Sequence, residues 1–164
     1  MKILYYGGQK SGKSYFAEQK SLELSKNKKP YYIATYDNSY GDIEMIDRIS
    51  KHQAQREEKF ITIEESKSLI LHIKSKETYL IDCVSMWILN NIEKPIEELI
   101  EQIEVLENID ANIIFVLNNV NEGVIPMDKL SRKFIDLTGI IGQKLASICD
   151  EVYEVKLGLL RRLN

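Results

Sequence analysis

Gly7-Gly8-Gln9-Lys10-Ser11-Gly12-Lys13-Ser14 follows directly on the apolar run Ile3-Leu4-Tyr5-Tyr6, and this junction decides the fold. The octet fits the phosphate-binding pattern G-x-x-x-x-G-K-[ST], placed behind a strand and ahead of a helix. Glycines let the backbone curl so that successive N–H groups point inward and cradle phosphate oxygens. The helix that follows adds the positive end of its dipole. Lys13 brings a point charge to the β and γ phosphates, and the Ser14 hydroxyl suits a Mg²⁺ ion. The bland alternative is a glycine turn with a chance Lys-Ser. The helical stretch from Tyr15 to Ser25 favours the phosphate loop. The expectation is a nucleoside triphosphate held by Gly7, Gly8, Gln9, Lys10, Ser11, Gly12, Lys13 and Ser14.

Outward from the octet, short apolar runs alternate with longer amphipathic ones. Strands are predicted over 2–6, 31–35, 60–63, 78–83, 112–117 and 152–157. Helices are predicted over 13–26, 42–57, 65–75, 84–91, 95–107 and 131–150, with Pro95 suited to a first helical turn. Tyr31-Tyr32-Ile33-Ala34, Tyr79-Leu80-Ile81 and Ile113-Ile114-Phe115-Val116-Leu117 are apolar without alternation, as in strands covered on both faces. Repeated β–α alternation predicts one α/β P-loop domain over 1–164, a mostly parallel sheet with helices on both faces. The irregular stretch 118–130 follows a buried strand, at the carboxyl edge where such sheets place their ligand loops.

Composition narrows the function classes. A chain of 164 residues, 44% hydrophobic, suffices for one core. A formal net charge of -3 argues against a general nucleic-acid binder. No apolar run spans a membrane, and the N-terminus reads as a strand leading into the octet rather than a signal peptide. Two cysteines, Cys83 and Cys149, make neither a disulfide framework nor a metal knuckle and fit a reducing cytoplasm.

Three further features bear on chemistry. Leu80-Ile81-Asp82 ends an apolar strand in a carboxylate, the place where a P-loop protein completes its Mg²⁺ site. Any strand can end in Asp; the octet makes the metal role the better reading. Glu44, Arg48, His52 and Arg56 recur every fourth residue and share one helix face. One reading is a solvated stripe with Glu44–Arg48 pairing. The other takes His52 as a nucleophile: flanking arginines disfavour the imidazolium and bind phosphate oxygens, while the neutral ring offers its lone pair to phosphorus. His72 reads as a partly buried helix residue, Trp87 as packing and Cys83 as a core thiol.

The motifs together resemble one family. The octet is similar to its G-G-x-R-S-G-K-S, and Tyr32-Ile33-Ala34-Thr35 to its Y-I-A-T. Asp42, Glu44, Met45, Arg48, Ile49, His52 and Arg56 follow its D-x-E-M-x-x-R-I-x-x-H-x-x-x-R, with Thr62-Ile63-Glu64-Glu65 behind. Asp82-Cys83 with Trp87 and Asn90 resembles D-C-(x)3-W-(x)2-N. Asn118 to Pro126 resembles its N-E-V-G-x-G-I-V-P loop, followed by Arg132, Phe134, Asp136 and Gly139. The family is the bifunctional adenosylcobinamide kinase / adenosylcobinamide-phosphate guanylyltransferase of cobalamin synthesis, and the likeness runs the length of the chain.

That resemblance implies two reactions. One moves the γ-phosphate of ATP or GTP to the hydroxyl of adenosylcobinamide. In the other a histidine takes GMP from GTP and passes it to adenosylcobinamide phosphate. The nucleophile falls on His52. Nucleotide contacts fall on the octet, Ala34, Thr35, Gln53, Ala54, Gln55, Arg56, Glu64 and Asp82, and Mg²⁺ on Ser14 and Asp82. A RecA-like fold and a homotrimer with sites near subunit interfaces are further implications.

The chain departs from the family at five places. Asn119 replaces Glu, Asn121 replaces Gly, Lys10 replaces Arg, Phe60 replaces Trp and Leu160 replaces Pro. The exchange at 119 removes a charge from the loop and bears on the kinase half more than on the guanylyl half. Two other readings stand beside this one: a P-loop kinase of another small metabolite, with His52 a surface residue, and a nucleotide-binding regulator without turnover.

Overall fold

The apolar runs form the middle of one twisted sheet. The computed structural model describes residues 1–37 and 58–164. The predicted helix over 42–57 lies outside the described residues, and with it Glu44, Arg48, His52, Gln53, Ala54, Gln55 and Arg56. The elements run β1 (Lys2–Gly7), α1 (Lys13–Ser25), β2 (Tyr31–Ala34), β3 (Ile61–Glu64), β4 (Thr78–Asp82), α2 (Val84–Asn90), α3 (Ile96–Asn108), β5 (Asn112–Asn118), α4 (Lys129–Ile148), β6 (Glu151–Lys156) and β7 (Leu159–Arg162). Strand order is β3-β2-β4-β5-β1-β6-β7. All neighbours are parallel except β6 and β7.

Alternation along each strand builds two layers. Leu4, Ile33, Tyr79, Ile81, Ile113, Phe115 and Leu117 pack with α2, α3 and α4 on one face. Ile3, Tyr5, Tyr32, Leu80, Ile114 and Val116 pack with Ala17 of α1 on the other. A strand buried on both sides has no polar face to show, so these segments read as continuous apolar runs. Asp128 caps α4 by accepting a hydrogen bond from the Ser131 N–H at 2.7 Å, so the helix begins at Lys129 rather than Ser131.

Two expectations are corrected. The stretch 65–75 is not a helix but a chain of turns and bends. Most of its N–H groups go to side chains, and Ile73 N–H goes to Ile70 O, three residues back. Glu65 Oε1 accepts from the N–H groups of Lys67 and Ser68, and Gln102 Oε1 accepts from Leu69. Ser68 Oγ accepts from Leu71, and the Tyr79 hydroxyl accepts from Lys74. Such competition is why Ser and short polar runs favour turns over helix interiors. His72 accordingly sits in a turn, partly exposed, with Nε2 3.4 Å from Glu65 Oε2. The second correction is β7, a strand the sequence reading left out. Leu157 (φ 55°) and Gly158 (φ 75°) are both left-handed and form the two-residue turn that folds β7 back on β6.

Candidate nucleotide-binding site

The octet lies where β1 meets α1. Lys10 (φ 54°) and Gly12 (φ 101°) take left-handed conformations, the backbone geometry of an anion-binding nest. Ser11 N–H donates to Gly8 O at 3.2 Å and closes the loop. Lys13 is buried, and its ammonium donates to Gly8 O at 2.9 Å across the loop. Burial lowers the Lys13 pKa, and the nearby Asp82 carboxylate works against that shift. Ser11 Oγ is buried and has no hydrogen-bond partner among the described residues. A glycine loop with a desolvated cation and an unanswered hydroxyl suits an anion with several oxygens.

The other described site residues share the same carboxyl edge. Ala34 stands in register with Glu64 on one side and Asp82 on the other. Asp82 is in turn in register with Val116, and Val116 with Tyr5, one residue before Tyr6. The edge therefore runs from Glu64 through Ala34 and Asp82 to the P-loop strand. At about 4.8 Å per strand, β2 lies roughly 14 Å from β1. Ala34 and Glu64 thus do not touch the octet directly; they border the same sheet edge. Gln53, Ala54, Gln55, Arg56 and His52 lie outside the described residues.

Several side chains hold this rim through contacts that the sequence motifs alone did not assign. The Tyr32 hydroxyl donates to Asp82 Oδ2 at 2.9 Å and fixes the carboxylate. The Thr35 hydroxyl donates to Cys83 O at 2.7 Å and accepts from Cys83 N–H at 3.0 Å, locking β2 to the end of β4. Thr35 is fully buried, so it braces the edge from below. Asn90 donates to Thr35 O at 2.7 Å and to Ser66 O at 3.0 Å. Trp87 is fully buried, with Nε1–H donating to Lys67 O at 3.1 Å. The hydrogen-bonding ends of Tyr32 and Asn90 are set by partners on neighbouring elements, a relation no linear spacing displays.

Burial pushes the Cys83 thiol up to about 12, with Asp82 adding to the shift. Its sulfur accepts a 3.7 Å contact from Asn118 Nδ2, and Asn118 N–H donates to Ser85 Oγ at 3.0 Å. Cys83 is thus a structural thiol. Ser14 and Asp82 offer hard oxygen donors of the kind Mg²⁺ takes. Among the described residues no group of three or more His, Cys, Asp or Glu side chains could hold a metal. A cation bound by Ser14 and Asp82 would therefore complete its shell with phosphate oxygens and water, which is Mg²⁺ behaviour at phosphates. The residues fit that ion. Among the described residues no helix is long and apolar enough to cross a membrane.

The sequence profile of the cobinamide kinase / cobinamide phosphate guanyltransferase family matches residues 3–163. The chain belongs to this family. It is 33% identical to the bifunctional adenosylcobalamin biosynthesis protein CobP of Pseudomonas aeruginosa, over 97% of this chain and 95% of that protein. It is 30% identical to the bifunctional adenosylcobalamin biosynthesis protein CobU of Escherichia coli K12, over 97% of each. The protein of the same name from Salmonella typhimurium is 29% identical, again over 97% of each. Membership makes this an enzyme family whose activities are cobinamide phosphorylation and guanylyl transfer. The sheet with its P-loop is the α/β architecture expected from the sequence.

Proposed function

We propose that this chain carries out both family reactions, using one nucleotide site on the rim from the octet to Glu64. The observation that carries this reading is Lys13. Its ammonium is desolvated inside a glycine loop, 2.9 Å from Gly8 O and close enough to Asp82 to feel its charge. Incoming phosphate oxygens offer this cation better partners than a single carbonyl.

In guanylyl transfer, a neutral His52 nitrogen attacks the α-phosphorus of GTP. A P–N bond forms, the bond from that phosphorus to the β-phosphate bridging oxygen breaks, and pyrophosphate leaves. An oxygen of adenosylcobinamide phosphate then attacks the same phosphorus, breaks the P–N bond and frees the ring. Arg48 and Arg56, four residues to either side in the sequence, are the cations proposed to hold the phosphate oxygens and disfavour the imidazolium. In the kinase reaction the γ-phosphoryl of ATP or GTP passes directly to the hydroxyl of adenosylcobinamide. The octet backbone and Lys13 hold the β and γ phosphates. Ser14 and Asp82 would hold Mg²⁺, which supplies charge neutralisation at those phosphates. Tyr32 keeps Asp82 in place.

The remaining nucleotide contacts fall on Ala34, Thr35, Gln53, Ala54, Gln55, Arg56 and Glu64, with Thr35 acting through the backbone it braces. Residues 1–164 work as one P-loop domain in a cytoplasmic homotrimer. The exposed apolar side chains Val124, Ile125 and Met127, beside the site, support a large apolar substrate or a neighbouring subunit there.

The test is incubation with GTP labelled at the α-phosphate. A covalent label, stable to base and labile to acid, is the expected result. Absence of any adduct, with GTP still bound, would remove the histidine mechanism.

A further inference from the structure

Tyr32 reaches the strand-end acid diagonally across two neighbouring strands. It stands in register with Leu80, while Asp82, two residues on, stands in register with Ala34. Alternation puts Tyr32, Leu80 and Asp82 on one face of the sheet, the face that α1 covers. The Tyr32 side chain is buried, and Phe60 meets its ring edge-on, with centroids 6.0 Å apart and planes at 81°. The hydroxyl is thereby held against Asp82 Oδ2 at 2.9 Å. Asp82 Oδ1 accepts no hydrogen bond among the described residues. The carboxylate is half-buried, with Lys13 of the octet near enough to feel its charge. Its two oxygens are therefore unlike.

That asymmetry bears on the choice of cation. A carboxylate that grips a metal with both oxygens suits the larger, loosely ordered shell of Ca²⁺. A carboxylate that offers one oxygen suits the compact octahedral shell of Mg²⁺, which also keeps several waters. A phenol proton on Oδ2 draws on the charge of that oxygen and so opposes chelation by both. Among the described residues no group of three or more His, Cys, Asp or Glu side chains could hold a metal. The manner in which Asp82 presents its oxygens therefore weighs heavily in which ion is taken.

We propose that Tyr32 is a positioning residue that sets metal specificity: by engaging Asp82 Oδ2 it leaves one carboxylate oxygen for the cation, and so favours Mg²⁺ over Ca²⁺ at the nucleotide phosphates. This rests on the reading above that Ser14 and Asp82 hold the cation. Tyr32 acts through Asp82, and Phe60 keeps the phenol in its seat.

The test measures binding rather than turnover. The probe is α,β-methylene GTP, whose α-phosphorus cannot release pyrophosphate. Its affinity for wild type, Tyr32→Phe, Asp82→Asn and the double variant is measured by calorimetry in excess Mg²⁺, in excess Ca²⁺ and in EDTA. Phenylalanine keeps the ring against Phe60, and water replaces the hydroxyl at the half-buried Asp82, so Tyr32→Phe should fold. Wild type should bind the probe more tightly with Mg²⁺ than with Ca²⁺. Tyr32→Phe should narrow that ratio about tenfold, the lower range for a hydrogen bond to a charged group. Its affinity in EDTA should match wild type. In the Asp82→Asn background the tyrosine exchange should change nothing further. A Mg²⁺-to-Ca²⁺ ratio that Tyr32→Phe leaves within about twofold of wild type overturns the inference. So does a wild type that gains equally from both ions, or a tyrosine exchange that still acts when the Asp82 carboxylate is gone. In those three cases the cation reading of Ser14 and Asp82 stands. A wild type that binds the probe equally well with and without metal overturns both.

Discussion

Gly7 and Val155 meet so closely that a β-carbon on Gly7 would stand 2.3 Å from the Val155 carbonyl oxygen. The same atom would be 2.8 Å from Ser11 Oγ. The two residues are in register across β1 and β6, so the first glycine of the octet is required by sheet packing as well as by loop curvature. Gly8 differs, since a β-carbon there meets nothing within 4 Å. Gly7→Ala should therefore cost about 1–3 kcal/mol, as overpacking does. Gly8→Ala should stay within about 0.5 kcal/mol of wild type. Urea denaturation of the two variants measures the contrast, and equal midpoints would show that the sheet absorbs the extra carbon.

Lys13→Ala removes the buried cation of the loop. A charge-assisted contact contributes roughly 1.5–3 kcal/mol net. GTP affinity should fall at least tenfold, read by calorimetry on the folded variant. Unchanged affinity would reduce the octet to a turn.

His52→Asn should separate the two reactions. An amide nitrogen has no available lone pair for phosphorus, so the GMP adduct should vanish. GTP binding through the octet should survive, and phosphorylation of adenosylcobinamide should be largely retained. A stable adduct in this variant would place the nucleophile at another residue.

Alkaline pH should destabilise the fold through its thiols. Burial raises both Cys83 and Cys149 from 9.0 to about 12. Above pH 9 the unfolded chain loses these protons while the folded chain keeps them. The unfolded state then binds fewer protons, so unfolding free energy falls as pH rises from 9 towards 12. Each thiol removes up to about 1.4 kcal/mol per pH unit in that window. Thermal melts at pH 8, 9, 10 and 11 should show the decline, and Cys149→Ala should make it shallower. A flat profile would contradict the buried-thiol account. Mass-spectrometric alkylation at pH 8 should find both cysteines slow in native protein and reactive in urea.

The elements legible in the sequence were those whose signal is local. A continuous apolar run marks a doubly covered strand, and the glycine-lysine octet carries its own turn geometry, so β1, β2, β4 and β5 could be read directly. The stretch 65–75 misled because its apolar residues mimic a helical face, while its N–H groups are taken by Glu65, Ser68, Gln102 and Tyr79. Two of those acceptors come from elsewhere in the chain. β7 hid because its residues are all exposed and show no alternation, although Leu157-Gly158 was a turn signal. In the rim, Asp82 was readable as a strand-terminal acid. Tyr32 beneath it was not, since their pairing depends on β2 lying beside β4.

The central position of β1 also sets the order in which the protein can be made. The strand that carries the phosphate loop is made well before its two neighbours, which begin at Asn112 and Glu151. Until those arrive, an apolar strand and a half-formed loop have no sheet to join. The nucleotide pocket is therefore a late product of biosynthesis, completed only when β6 closes against Gly7. Long-range parallel pairing of this kind is slow and exposes sticky surface in the interval.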